Sequence, residues 1–331
     1  MKKALLVMRY FLPDSFKNDA KTSIHPKFDC QINALTKLGY QCTFIGIDGK
    51  GNIYKICNEK ERLGKIRLYC LPLIRQYFGY KCLYRHAAKI SKKEKFDLVY
   101  VRNCPNTFNY PKMMKVLRTN CDNVVVEIPT YPSNQEVAHE KRLWIRLIHP
   151  FVNFIEKQSS KYVRLYALIG ESSSSFRGQP AINIINGTNV DGKKEHTKKT
   201  IDSDIHMIAL AEMAHYHGYD RIIEGLKLYY EKKPKVNFYF HMVGTDVDGS
   251  LSKWMKMAKD YGLSKYVFSE GFMKGKTLDD FFDRCDIACG SMGGFRRGTH
   301  FAFDLKNAEY LSRGIPFVCC KFEGSDRKSV V

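Results

Sequence analysis

Between residues 290 and 309 the chain places a glycine-rich, basic loop, GSMGGFRRG (290–298), just ahead of the run Asp-Leu-Lys-Asn-Ala-Glu (304–309). That order of residues suits a diphosphate. Phosphate oxygens need backbone N–H donors, the positive end of a helix and cations. Arg296, Arg297 and Lys306 supply the cations, and a guanidinium fork meets phosphate oxygens two at a time. The plainer alternative is a solvated loop with a glutamate on the surface of the following helix. Glycines and arginines interleaved directly before a helix favour the phosphate.

Glu127 ends the apolar run VVVEI (124–128) with Pro129, Tyr131 and Pro132 behind it. A carboxylate at the carboxyl end of a strand can accept a proton or bind an acceptor, or it can cap the next helix; both readings stay open. Asp246-Val-Asp248 has the spacing of a metal-binding acidic pair but reads as a strand-exit turn, and no metal is expected. Gly46, Gly49 and Gly51 miss the G-x-G-x-x-G fingerprint. Neither G-x-S-x-G nor H-E-x-x-H occurs. No cofactor is expected.

The elements that must position these residues alternate along the chain. Short β-branched runs (4–8, 42–47, 65–70, 97–101, 123–128, 164–169 and 182–186) are separated by stretches of helical period. Ile32, Leu35 and Leu38 ahead of Gly39, for example, read as a helix with a glycine stop. The polar, lysine-rich segment 188–204 interrupts the series and reads as a linker. A second series follows, with strands near 204–211, 236–244, 266–271, 286–291 and 315–320, and helices over 218–231, 250–261, 277–283 and 304–312. The expected architecture is α/β, with two Rossmann-like domains, 1–187 and 205–325. Ligands of such sheets sit at the carboxyl ends of the strands.

Several stretches of the second half resemble the glycosyltransferase group 1, family 4-like enzymes of the GT-B fold. They are INGTNVD (185–191), HGYDRIIEGL (217–226), residues 240–273, and residues 278–318. In the first half VYVRN (99–103) and VVVEIPTYP (124–132) are similar to a bacterial subgroup from capsule and polysaccharide synthesis. The resemblance implies sugar transfer from a nucleotide-sugar donor to a lipid-linked saccharide or polysaccharide acceptor, with retention at the anomeric carbon. It implies that Glu309 accepts hydrogen bonds from the ribose and that backbone atoms of Gly271, Phe272 and Met273 meet the base. The sequence also departs from the family. Glu212 and His217 stand where an Arg and a Lys grip the diphosphate, and Phe301 replaces the first of two paired glutamates. Donor binding is then expected to lean on Arg296, Arg297 and Lys306, with Glu212 against a sugar hydroxyl. A nucleotide-sugar-binding protein without transferase activity and a GT-B sugar-nucleotide epimerase are the alternatives.

Charge is unevenly spread. Residues 1–190 hold 31 basic and 14 acidic side chains, a net +17, against 23 and 20 in the remainder. Such a field suggests an anionic membrane surface or a polyanionic substrate; no RNA- or DNA-binding signature accompanies it, so no nucleic acid is expected. In 139–164 the residues Trp144, Leu147, Ile148, Phe151, Phe154 and Ile155 recur at helical spacing, flanked by Lys141, Arg142, Arg146, Lys157 and Lys161. A stripe of this kind packs into a core or lies in the plane of a membrane. Eleven cysteines without a C-x-x-C pair fit a reducing, cytoplasmic compartment, and no run is long enough to span a bilayer. Because GT-B chains usually continue past an IPFV-type strand, the second domain is expected to be incomplete, and DRKSVV (326–331) to be a non-native tail.

Overall fold

The computed structural model describes residues 1–12, 24–66, 72–105, 107–132, 143–188, 190, 195–196, 204–297 and 304–320. His139, Phe301 and the tail 326–331 lie outside the described residues. The chain divides into two compact units, Met1–Ile185 and Asn186–Val331.

Unit 1 is built on β1 (Lys2–Phe11), whose residues Ala4–Met8 are almost wholly buried. Parallel neighbours flank it: β2 (Tyr40–Ile47) on one side and β5 (Leu98–Arg102) on the other, continued by β6 (Val124–Tyr131), β7 (Leu165–Gly170) and β9 (Gln179–Ile184), with the short β8 (Ser175–Phe176) antiparallel to β9. Alternation along β1 sends side chains to two cores. Leu5 and Val7 join Val99, Val101, Val124 and Val126 under α2 (Pro72–Lys93) and α3 (Asn109–Asn120), whereas Ala4, Leu6 and Met8 pack on Phe28 of α1 (Ile24–Lys37).

Two elements go beyond what the sequence announces. Residues 67–70 of the strand expected at 65–70 lie outside the described residues, and ahead of them stands a hairpin, β3 (Asn52–Ile56) and β4 (Lys60–Lys65), antiparallel to β2 and to each other. Lys60, Glu61, Arg62 and Lys65 put charge along that sheet edge, which discourages further pairing and hides the strand from a hydrophobicity scan. The second is α4 (Leu143–Ser160), for whose stripe the sequence left core and surface both open. Ile155 alone among the stripe residues whose side chains are described is in the core, while Leu147 is 79%, Phe154 54%, Ile148 43% and Phe151 37% exposed. The apolar face of α4 looks outward. No helix among the described residues is long and apolar enough to cross a membrane.

Unit 2 carries a parallel sheet that, among the described residues, runs β12 (Val267–Gly271), β11 (Asn237–Val243), β10 (Asp204–Leu210), β13 (Ile287–Cys289), β14 (Phe317–Val318). Helices α5 (Asp220–Glu231) and α6 (Ser250–Asp260) bury Ile223, Leu226, Leu251 and Trp254 on one face, with Met207, Ala209, Phe240 and Met242. Helices α7 (Lys276–Phe282) and α8 (Leu305–Arg313) bury Phe282 and Tyr310 on the other, with Ile208, Val243 and Ala288. This is a doubly wound sheet, and all its strands point their carboxyl ends to one edge.

Candidate functional site

Strands β10 and β13 lie side by side, Met207 beside Ile287 and Ile208 beside Ala288, so the loops leaving them emerge together. The first loop passes Glu212 into a short turn, His215–His217; the second, 290–293, enters another short turn, Gly294–Arg297. A glycine contact seals them. Gly218 has φ +66°, and a Cβ there would sit 2.5 Å from the Gly293 nitrogen, so only glycine permits this approach. The Met292 N–H donates to the His217 carbonyl at 2.7 Å, and Arg221 Nη1 donates to the Met292 carbonyl at 2.6 Å.

Helix α8 is pinned beneath both strands by buried Tyr310. Its hydroxyl accepts from the Leu210 N–H at 2.9 Å and donates to the Cys289 carbonyl at 3.1 Å. The amino end of α8 therefore meets the two loops, and a polar cluster fills the junction. Lys306 Nζ donates to His217 Nδ1 at 2.7 Å and to the Tyr219 hydroxyl at 3.3 Å, and lies 3.5 Å from Asp304 Oδ2. An ammonium can only donate, so Nδ1 accepts and the imidazole carries its hydrogen on Nε2. Ser291 Oγ donates to Asp304 Oδ2 and lies 2.9 Å from His217 Nδ1. Chemically this is a cation held at a helix amino end beside a glycine-rich loop, a setting that stabilises a phosphate.

The expected site residues separate into groups. His217 and Lys306 come together at the centre of the cluster, both buried. Arg296 forks onto Asp220 at 2.8 and 2.6 Å and donates to the His215 carbonyl at 2.9 Å, so its guanidinium ties the loop to the start of α5. The Arg297 backbone belongs to the short turn, and its side chain lies outside the described residues. Glu309 accepts from Arg313 Nε at 2.9 Å, and Arg313 also reaches Asp279 at 2.6 Å. Glu212 stands at the exit of β10, where burial raises its carboxyl above the ordinary range. Gly271 ends β12 with φ +73°; Phe272 is exposed, and Met273 turns in against the core under α7. Sequence reasoning missed Ser291, Asp304, Tyr219 and Arg221. Ser291 sits inside the glycine-rich loop and Asp304 at the cap position of α8, so both positions carried a signal.

Glu127 is 0% exposed in the middle of β6. It pairs with Lys27 at 2.8 Å and with Arg102, and accepts from Gln31 at 2.7 Å and Tyr100 at 2.6 Å. Burial raises its carboxyl, but Lys27 and Arg102 outweigh that and hold it below the usual value. Glu127, open from the sequence to a proton-accepting, acceptor-binding or helix-capping role, is the hub of a buried ion-pair network. Register predicts the partner: Arg102 lies opposite Glu127 in the β5–β6 pairing.

Asp246 accepts from the Gly249 N–H at 2.8 Å and from Ser252 at the start of α6, while Asp248 accepts from the Ser250 and His215 N–H groups. Burial raises the Asp248 carboxyl, yet those hydrogen bonds outweigh it and take it down to about 2. Both carboxylates are turn and helix-start acceptors. Among the described residues no group of three His, Cys, Asp or Glu side chains could hold a metal ion.

No protein-family model matches the chain, and no curated protein sequence matches it. Solved structures do. WaaG, a glycosyltransferase involved in lipopolysaccharide biosynthesis, is similar with a TM-score of 0.62 at 13% identity, over 98% of this chain and 83% of that one. Sucrose-phosphate synthase from Thermosynechococcus elongatus gives 0.65 at 10% identity over 100% and 84%. Anabaena HepE in complex with UDP gives 0.56 at 12% over 99% and 82%. With two Rossmann-like units that align to these enzymes along nearly its whole length, the chain has the GT-B fold.

Proposed function

We propose that the chain is a bacterial glycosyltransferase that moves a sugar from a nucleotide-diphosphate sugar to a lipid-linked saccharide or polysaccharide acceptor, with retention at the anomeric carbon and without a metal cofactor. The observation that carries this reading is the meeting of His217, Ser291, Asp304 and Lys306 with the amino end of α8 at the carboxyl edge of β10 and β13. The donor diphosphate would lie against that junction. There Lys306 and the helix dipole stabilise charge as it builds on the departing phosphate, and Arg297 adds a cation. Glu309 takes the ribose, Gly271–Met273 the base, and Glu212 a hydroxyl of the transferred sugar. The departing phosphate takes the acceptor proton on the same face, so the chain's work is orientation and charge stabilisation. HepE, solved with UDP, is a neighbour whose ligand supports the donor class.

Incubation with a panel of UDP- and GDP-sugars tests the reading. Slow donor hydrolysis, and transfer when an acceptor is supplied, are expected. Binding without turnover would make the chain a nucleotide-sugar-binding module, and interconversion of the donor sugar would make it an epimerase. Arg297→Ala should weaken nucleoside-diphosphate binding by about 1.5–3 kcal/mol, the scale of a hydrogen bond to a charged group, with the fold intact; unchanged affinity by calorimetry would remove Arg297 from the donor site.

The work is placed at the cytoplasmic face of a membrane. Leu147, Ile148, Phe151 and Phe154 make an outward apolar ridge on α4, with exposed Phe108 edge-on to Phe151 at 4.9 Å. Arg146, Lys157, Lys161, Lys112 and Lys115 stand exposed around it, while the single carboxylate of α4, Glu156, is buried against Arg177 at 2.8 Å. An open depression of about 340 Å³ between α3 and α4, lined by Phe108, Phe154 and three of those lysines, continues this apolar and basic surface. Each basic residue near an anionic surface contributes about 1 kcal/mol. Co-sedimentation with vesicles should therefore require anionic lipid, fade as salt rises, and be lost in Leu147→Glu/Phe151→Glu. Equal binding to neutral vesicles would leave the ridge to another partner. Every cysteine described is a free thiol, in keeping with a reducing compartment.

A further inference from the structure

Unit 1 has its own carboxyl edge, and its charges there do not balance. Parallel pairing sets Val7 of β1 beside Val101 of β5, so Arg9 and Arg102 come at the exits of adjacent strands. Arg102 shares Glu127 with buried Lys27. Arg9 has no ion pair or hydrogen bond among the described residues. Its guanidinium is held by two rings, with Cζ 5.1 Å from the centroids of both Phe11 and Tyr80. Among the described residues, Arg102 and Lys27 thus have the wholly buried Glu127 as counter-charge, and Arg9 has none. The nearby acid Asp29 accepts from the Tyr10 hydroxyl at 2.6 Å on the α1 side. Both arginines act on the same ground: each pulls down the Tyr80 phenol and the Cys104 thiol, which burial pushes up.

A half-buried guanidinium that is stacked, oriented and without a counter-charge is built to receive one. Contact with two rings restricts the guanidinium, which lowers the ordering cost of a two-point contact with an oxyanion. We propose that the carboxyl edge of β1 and β5 is an oxyanion subsite, with Arg9 as the clamp and Arg102 as its neighbour, and that the acceptor carries a phosphate or carboxylate group that binds there. The assignment of this anion to an acceptor rests on the glycosyl-transfer reading; the subsite itself does not.

Calorimetric titration of the full chain with inorganic phosphate, a hexose phosphate, a hexuronate and a neutral hexose tests it. The anionic probes should bind and the neutral hexose should not, and whichever anionic sugar binds tighter identifies the oxyanion. Arg9→Ala should weaken anion binding roughly 10- to 100-fold, the range of a charge-assisted contact, with an unchanged melting temperature. Arg9→Lys should recover only part, because an ammonium neither stacks nor forks in the same way. UDP affinity, set in unit 2, should be the same in all three proteins. Equal binding of neutral and anionic sugars, no binding of any anion, or full anion affinity in Arg9→Ala would overturn the subsite. Arg9-dependent anion binding without turnover of any nucleotide sugar would overturn the transferase reading and leave the subsite standing. Transfer to a neutral acceptor at an undiminished rate in Arg9→Ala would overturn the assignment of the subsite to the acceptor and leave the transferase reading standing.

Discussion

Replacing Glu127 by glutamine should destabilise unit 1 by about 3–5 kcal/mol, the usual cost of removing one partner from a buried ion pair. Lys27 is 6% exposed and would lose the carboxylate that it shares with Arg102. For a unit of this size the loss corresponds to a fall of roughly 6–20 °C in melting temperature. Its pH dependence separates this from a packing defect. The folded carboxyl titrates below its ordinary value of 4.5, so its stabilisation is present above that value and disappears as pH falls through the lower, folded one. The gap between the native chain and Glu127→Gln should therefore be widest near neutrality and close in acid. In the variant, Lys27 keeps the burial that already lowers its pKa and loses the charge that raised it. The unfolded chain then binds more protons than the folded one, and the variant should regain stability as pH rises. Adding Lys27→Met should restore part of the loss. Denaturant unfolding with hydrogen exchange read at β1, β5 and β6 measures all of this; a variant as stable as the native chain at neutral pH would show that the network carries no net weight.

How far the sequence reveals this network and the unit 2 cluster depends on the kind of interaction. Local pattern was enough for the strands of unit 2, because runs such as DIHMIAL and NFYFHMV are buried on both faces and bounded by turns, and the expected spans fall on β10 and β11. Pattern failed at β3 and β4, where KERLGK has too little apolar content to announce a strand and pairing alone makes it one. At the sites, residue type was legible and partnership was not. Arg296 reads as a phosphate ligand, but its fork is taken by Asp220, 76 positions away. The role of Glu127 stays open in the sequence because the cation that pairs with it, Lys27, comes from a helix 100 positions earlier. Arg9 attracted no notice, since a lone arginine in MKKALLVMRYF has meaning only once Tyr80 folds over it. The α4 ridge shows the same limit: helical spacing fixed the stripe but not the direction it faces.

The glycine contact at the unit 2 junction predicts the second large effect. Gly218→Ala should destabilise unit 2 by about 2–4 kcal/mol and abolish nucleotide binding together with it. Two costs add. A non-glycine residue in the left-handed region loses about 1–2 kcal/mol, and Gly218 has φ +66°. The new Cβ would also lie 2.5 Å from Gly293 N, 2.7 Å from its Cα and 2.8 Å from the Met292 carbonyl carbon. Those are backbone atoms, so no side chain can swing aside and the loops must part. Parting them stretches the Met292 N–H to His217 carbonyl bond and the Arg221 contact with Met292, each worth about 1 kcal/mol. It also draws His217 away from Lys306 and Ser291. Gly249→Ala is the matched control. Gly249 has φ +81°, but nothing lies within 4 Å of a Cβ built there, so it bears the conformational cost alone. The difference between the two variants in denaturant unfolding isolates the close approach. Nucleoside-diphosphate affinity should survive in Gly249→Ala and fall sharply in Gly218→Ala, measured where both remain folded. Equal stability losses in the two, with nucleotide binding intact in both, would mean that the loops after β10 and β13 do not depend on each other and that the cluster they frame is not the donor site.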